Sequence, residues 1–202
     1  MSRLMTKQTK SEALFESFCS SNSLDWTRIP AGVSKAPDYR LRFGETTVAF
    51  EIKQFDGPGG FNPGGVSSRT VGYHVRQKIT EARKQLQAAA ASGEPAVLLI
   101  YNAVDHPFQA FGTEQHDFIC AMYGDLTVDL SCESFSKPFH GRNAKLRAGM
   151  NTSFSAVGHL RLLGTGAASV TIYENVYAAH PLPFEHLPST LEVVRVSVQD
   201  AA

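Results

Sequence analysis

An α/β or α+β fold with a strand-rich C-terminal half is predicted by three features of this chain. Apolar residues recur at helical spacing in two segments, they alternate with polar ones through residues 37–53, and the run Ala96–Asn102 is almost wholly apolar. In segment 9–22, Leu14, Phe15 and Phe18 share one helical face, with Thr9 or Ser11 placed as the cap and Glu12 in the first turn. Residues 23–30 fit a strand. In segment 37–43, Tyr39, Leu41 and Phe43 face one way and Asp38, Arg40 and Arg42 the other. After a turn at Gly44-Glu45 the alternation resumes, Val48, Phe50 and Ile52 against Ala49, Glu51 and Lys53, which makes a β-hairpin. The glycine- and proline-rich segment 54–69 is a long loop, either a flap over a substrate or a plain connector. From Tyr73, the stripe Val75, Ile79, Ala82 and Leu86 predicts a helix that Gly93 and Pro95 end. Ala96–Asn102 then reads as a strand buried on both faces. Beyond it, 113–124 fits a helix, 126–131, 153–163, 169–178 and 191–198 fit strands, and 181–189 is a proline-punctuated loop.

Composition narrows the function classes. Nineteen Lys+Arg balance nineteen Asp+Glu, which argues against a protein that coats a polyanion. A 43% hydrophobic chain of 202 residues can bury a sizeable core, so one domain (1–202) is expected, with a core over 9–102 and a strand-rich remainder (103–202) completing or flanking it. Cys19, Cys120 and Cys132 have no Cys-x-x-Cys spacing, which disfavours a disulfide framework or a zinc knuckle. Without a signal-peptide pattern or an eighteen-residue apolar run, the expectation is a cytoplasmic protein with no membrane partner.

The hairpin carries the chemistry. Glu51 and Lys53 lie two apart on one strand and so share a face, and pairing across the Gly44 turn brings Asp38 toward them. Ala49 is small enough to leave a cleft beside Glu51. Two carboxylates converging without His or Cys suit a hard cation, Mg²⁺ or Mn²⁺, and the backbone carbonyl of Ile52 is a further candidate ligand. A lysine beside them can orient the attacking water and balance charge on a phosphate.

Pro37-Asp38, a gap of twelve residues (39–50), and Glu51-Ile52-Lys53 together resemble the motif of the PD-(D/E)xK, restriction-endonuclease-like nuclease superfamily. The order helix, three strands, helix, strand over 9–102 resembles its core, which implies a mixed central sheet flanked by helices. The resemblance further implies a metal-dependent nuclease using Mg²⁺ (or Mn²⁺), with Asp38, Glu51 and Lys53 catalytic. Asp38, Glu51, Ile52 and either Glu12 or Glu16 would hold the metal. Nucleic acid, DNA favoured over RNA, is the implied partner, contacted through Gln54 and the polar face of the following helix, and a homodimer is compatible. Two other readings stay open: an inert module of the same fold that binds nucleic acid or protein, and an unrelated β-rich ligand-binding or structural protein with an exposed cross-strand ion network.

Net neutrality hides segregation along the chain. Segment 69–85 has Arg69, Arg76, Lys78, Arg83 and Lys84 against Glu81 alone, and segment 137–147 has Lys137, Arg142, Lys145 and Arg147 with no acid. Both stretches suit phosphate, and Lys78, Gln85 and Arg142 are the nominated contacts. Segment 105–133 holds six acids and no Lys or Arg, so it is expected to face away from nucleic acid.

Overall fold

The computed structural model describes residues 8–30, 35–56, 69–104, 112–132 and 134–196. Most of the glycine-rich loop expected as a flap or connector (57–68) lies outside the described residues, as do Asp105 and Glu133 of the acidic stretch. The elements are α1 (Lys10–Ser21), β1 (Asp25–Arg28), β2 (Tyr39–Phe43), β3 (Thr46–Phe55), α2 (Tyr73–Ala91), β4 (Ala96–Asn102), α3 (Gln115–Tyr123), β5 (Leu126–Thr127), β6 (Phe139–His140), β7 (Ala156–Leu162), β8 (Ala168–Glu174) and β9 (Leu191–Val194), with a 3-10 turn at Phe184–His186.

One mixed sheet spans both halves of the chain in the order β1-β2-β3-β4-β7-β8-β9. Strands β1, β2 and β3 form an antiparallel meander; β3 and β4 run parallel, as do β4 and β7, and β8 and β9, while β7 and β8 are antiparallel. The fold is therefore mixed α/β with helices on the sheet, and the strands of the second half continue the sheet begun by the first.

Each sheet face has its own core. On one, α1 packs Phe15, Phe18 and Cys19 over Tyr39, Leu41, Val48, Phe50, Val97 and Leu99; the Phe15 ring lies 5.0 Å from Tyr39 and 5.5 Å from Phe50. Thr9 caps α1 in a reciprocal box: its hydroxyl accepts from the Glu12 N–H at 3.2 Å, and the Glu12 carboxylate accepts from the Thr9 N–H at 2.6 Å. On the other face, α2 and α3 cover Ala49, Leu98, Ile100 and Val157 with Val75, Ile79, Leu86, Phe118 and Met122. Coverage on both sides explains why β4 is buried throughout and almost wholly apolar, Asn102 being its polar end. Gly158 on β7 meets Leu99 and the Thr171 carbonyl where a β-carbon would sit, each at 2.7 Å, so the sheet centre requires its missing side chain.

One predicted strand is corrected. Of 126–131, Leu126–Thr127 pairs with Phe139–His140 in a separate two-stranded ribbon and Leu130 makes a single bridge to Phe135, so the segment forms no continuous strand. Leu126 and Leu130 are 65% and 71% exposed, so that alternation has no core to bury its apolar side. All three cysteines are free thiols. Among the described residues no helix is long and apolar enough to cross a membrane.

Candidate active site

Asp38 immediately precedes β2. Its N–H donates to the Phe50 carbonyl at 3.0 Å although Phe50 is already the register partner of Tyr39, so two residues of one strand face one of the other, the count of a β-bulge. A bulge re-aims a side chain, and here Asp38 Oδ2 accepts the N–H of Ile52 at 2.8 Å. Within a strand a residue's N–H and C=O leave on the same side. The Ile52 carbonyl thus points off β3 toward Asp38, where the next residue in line, Pro37, has no N–H to give it.

The alternation of β3 sends Glu51 and Lys53 to the α2 face together. Lys53 Nζ lies 2.6 Å from Glu51 Oε1. Glu51 is 2% exposed, and its Oε2 is buried with no hydrogen-bond partner among the described residues. Burial above all, then repulsion from Asp38, pushes Glu51 up to about 7 against the opposing pull of Lys53. Asp38 is also raised, chiefly by burial, with the Ile52 N–H and Lys53 working the other way. Among the described residues Ala49 opens no cleft beside Glu51, since it is fully buried beneath α2.

Of the two acids on α1, Glu12 is the nearer to this cluster in effect, since its charge raises Asp38. It also bonds Arg28 at 2.8 Å. Glu16 accepts from the Tyr39 hydroxyl at 2.8 Å, from Arg28 at 3.1 Å and from Gln8 at 2.7 Å, and so serves α1 packing. Arg28, which bridges both acids, escapes a reading of the sequence; its one signal is register opposite Tyr39, beside two acids four apart.

The proposed nucleic-acid contacts separate into three places. Gln54 ties β3 to α1, accepting the Ser11 N–H at 3.2 Å and donating to Asp56 at 2.5 Å. Lys78 and Gln85 lie on the flank of α2 that carries His74, whose ring centroid is 4.0 Å from that of Phe55 on the Glu51 face of β3. Lys78 pairs with Glu81 at 2.8 Å, and Gln85 Oε1 is buried without a partner among the described residues. Arg142 is not brought to the hairpin; it lines a cavity against Arg83 on the other flank of α2.

Charge segregation in sequence becomes pairing in space. Arg69 meets Asp117 at 2.5 Å, and Arg76 pairs with Asp125, so two acids of the acidic block are taken up by the basic segment 69–85. Asp117 also accepts the Gly72 N–H at 2.7 Å and the Glu114 N–H at 3.1 Å. Its grouping with Glu114 and His116 is thus accounted for by the start of α3 and needs no ion.

What the fold and site define together is a mixed α/β protein with a half-buried cluster of two carboxylates and one lysine on a bulged hairpin, Glu51 being its buried member. Compared with protein-family models, with curated proteins and with solved structures, the chain matches none.

Proposed function

We propose that this protein is a metal-dependent nuclease that hydrolyses phosphodiester bonds, DNA in preference to RNA, at the Asp38–Glu51–Lys53 cluster. The observation that carries the reading is Glu51: a buried carboxylate facing Asp38, with one oxygen on Lys53 and the other without a partner among the described residues. A buried, half-satisfied acid beside a second acid is costly unless something positive joins them. Oxygen donors from Asp38, Glu51 and the Ile52 carbonyl, with Glu12 at the border, fit a hard cation that keeps some of its waters. Mg²⁺ or Mn²⁺ held there would acidify a water and offset charge on the phosphoryl oxygen.

The chain's own groups supply the rest. Asp38 is fixed by its bond to the Ile52 N–H, so its remaining oxygen is oriented in advance. Lys53, one-quarter exposed, reaches solvent while anchored on Glu51, which suits it to orient the attacking water and stabilise negative charge on the phosphate. Burial of Glu51 also disfavours the alternative of an exposed cross-strand ion network, because such networks are solvated. An inert module of the same fold remains the second reading, and activity decides between them.

The test incubates purified protein with labelled DNA and RNA in Mg²⁺, Mn²⁺ or EDTA. Cleavage is expected with either metal and none in EDTA, and Lys53→Ala is expected to slow it by roughly 100-fold or more. Undiminished cleavage by Lys53→Ala would overturn the site assignment.

A further inference from the structure

Helix α2 has two flanks. At 100° per residue, Lys78 and Gln85 sit about 140–160° around the axis from Thr80 and Arg83. The first pair shares the flank of His74, which packs on Phe55 of β3; the second lines a cavity of about 540 Å³ closed by the loop between β6 and β7. That cavity is walled by Arg83, His140, Arg142, Lys145, Arg147 and Asn151 among others, and no Asp or Glu lines it among the described residues.

Its cations differ from most of the others. Arg28, Arg40, Lys53, Arg69, Arg76, Lys78, Arg161 and Arg195 each have a carboxylate partner. Among the described residues, no ion pair is formed by Arg83, Arg142, Lys145 or Arg147. Asp125, the acid closest to this loop in the hydrogen-bond pattern, is taken by Arg76 and Asn143. In a chain of zero net charge, four cations gathered with no carboxylate paired to them among the described residues raise the local potential and repel one another.

The wall that holds them is built firmly. Asp125 and Arg142 join backbone to backbone at 2.8 Å, Gly141 returns to Asp125 at 2.8 Å, and the N–H groups of Lys145 and Leu146 bond Ala121 and Met122 on α3 at 3.0 and 2.8 Å. Leu146 is fully buried as the loop's anchor. Gly124 and Gly141 permit the approach: a β-carbon at Gly124 would sit 2.5 Å from the Gly141 carbonyl, and one at Gly141 would sit 2.3 Å from the Thr127 hydroxyl. Arg83, Arg142 and Arg147 are exposed around the rim. Charges spread around a rim, not converged on one buried atom, suit a chain of phosphates better than a single small anion.

We infer that the Arg83–Arg142–Lys145–Arg147 cavity binds the phosphodiester backbone of a nucleic acid, as an anchoring surface separate from the hairpin cluster. Its ligand class rests on the nuclease reading, but its function needs no catalysis. Binding and cutting are then separable, with α2 between the surfaces that perform them.

Fluorescence anisotropy with a labelled short duplex and its single strand, in EDTA and in Ca²⁺ over a salt series, tests this on the full chain. Arg142→Ala/Lys145→Ala/Arg147→Ala is expected to bind at least about tenfold more weakly at low salt and to lower the slope of log K against log salt by about 3. Arg83→Glu is expected to weaken binding, while the charge-matched Arg42→Glu, outside the cavity, does so far less; circular dichroism melting of each variant checks folding. Unchanged affinity and slope in the triple variant, an equal loss in Arg42→Glu, or full displacement of duplex by polyglutamate at matched charge overturns the assignment. Wild-type protein that binds with the cavity-dependent slope but never cleaves would sink the nuclease reading and leave this one standing. Metal-dependent cleavage with a wild-type slope in the triple variant would do the reverse.

Discussion

Glu51 sets stability against chemistry at a single residue. Its folded pKa of about 7 lies above the 4.5 of an ordinary glutamate, so folding takes up a proton between those values, and this contribution to stability is lost as pH rises across that window. Buried His159 works in the opposite direction: burial holds it down to about 3 from 6.5, so it stays neutral when folded and stability is lost as pH falls through that range. The two slopes partly cancel in the wild-type protein. Glu51→Gln is therefore expected to stabilise the metal-free protein at pH 8, by on the order of 3 kcal/mol, and to have little effect near pH 4.5, as read by calorimetry across pH. A divalent ion competes with the same proton, so Mn²⁺ is expected to raise the wild-type melting temperature more at pH 8 than at pH 6, and to lose that effect in Glu51→Gln.

Among the elements, the central strands are the least forgiving. Gly158→Ala would press a methyl group into Leu99 and the Thr171 carbonyl, and is expected to cost about 1–3 kcal/mol in urea unfolding. Gly164→Ala, with open space around its site, is the control and is expected to change stability by less than about 0.5 kcal/mol. The elements that the sequence made legible are those whose periodicity matches a face actually buried: α1 with its capping box, β2 with strict alternation, α2 with its stripe, and β4 covered on both sides. Segment 126–131 misled because alternation predicts a strand only where another surface accepts the apolar side. The Asp38–Glu51–Lys53 grouping was readable because it needs only one hairpin and a period of two. The bulge that aims Asp38, and Arg28 that ties down the neighbouring acids, were not, since both depend on pairing between strands.

Over the whole molecule, charge balance is achieved by contact. Asp117 is fully buried and holds Arg69, the Gly72 N–H and the start of α3, so it fastens α2 to α3. Asp117→Ala is expected to cost about 3–5 kcal/mol, leaving Arg69 without this partner and the Gly72 N–H without an acceptor, whereas Asp117→Asn retains part of the network and loses less; thermal melts separate the two. Acidic and basic blocks far apart in the chain looked like opposed faces in the sequence, because linear separation carries no information on which helices will lie side by side. The arrangement of the sheet also bears on the order of assembly. Asp38, Glu51 and Lys53 belong to a single hairpin, whose closure involves only a short loop, whereas β4 must find β7 across the distance from Val97 to Ala156. The carboxylates can therefore meet early, while Glu51 is sealed from water only once α2 has docked on β3 and β4. During refolding, the cluster would pass through a solvated stage with ordinary acidity before it acquires the proton affinity of the finished protein.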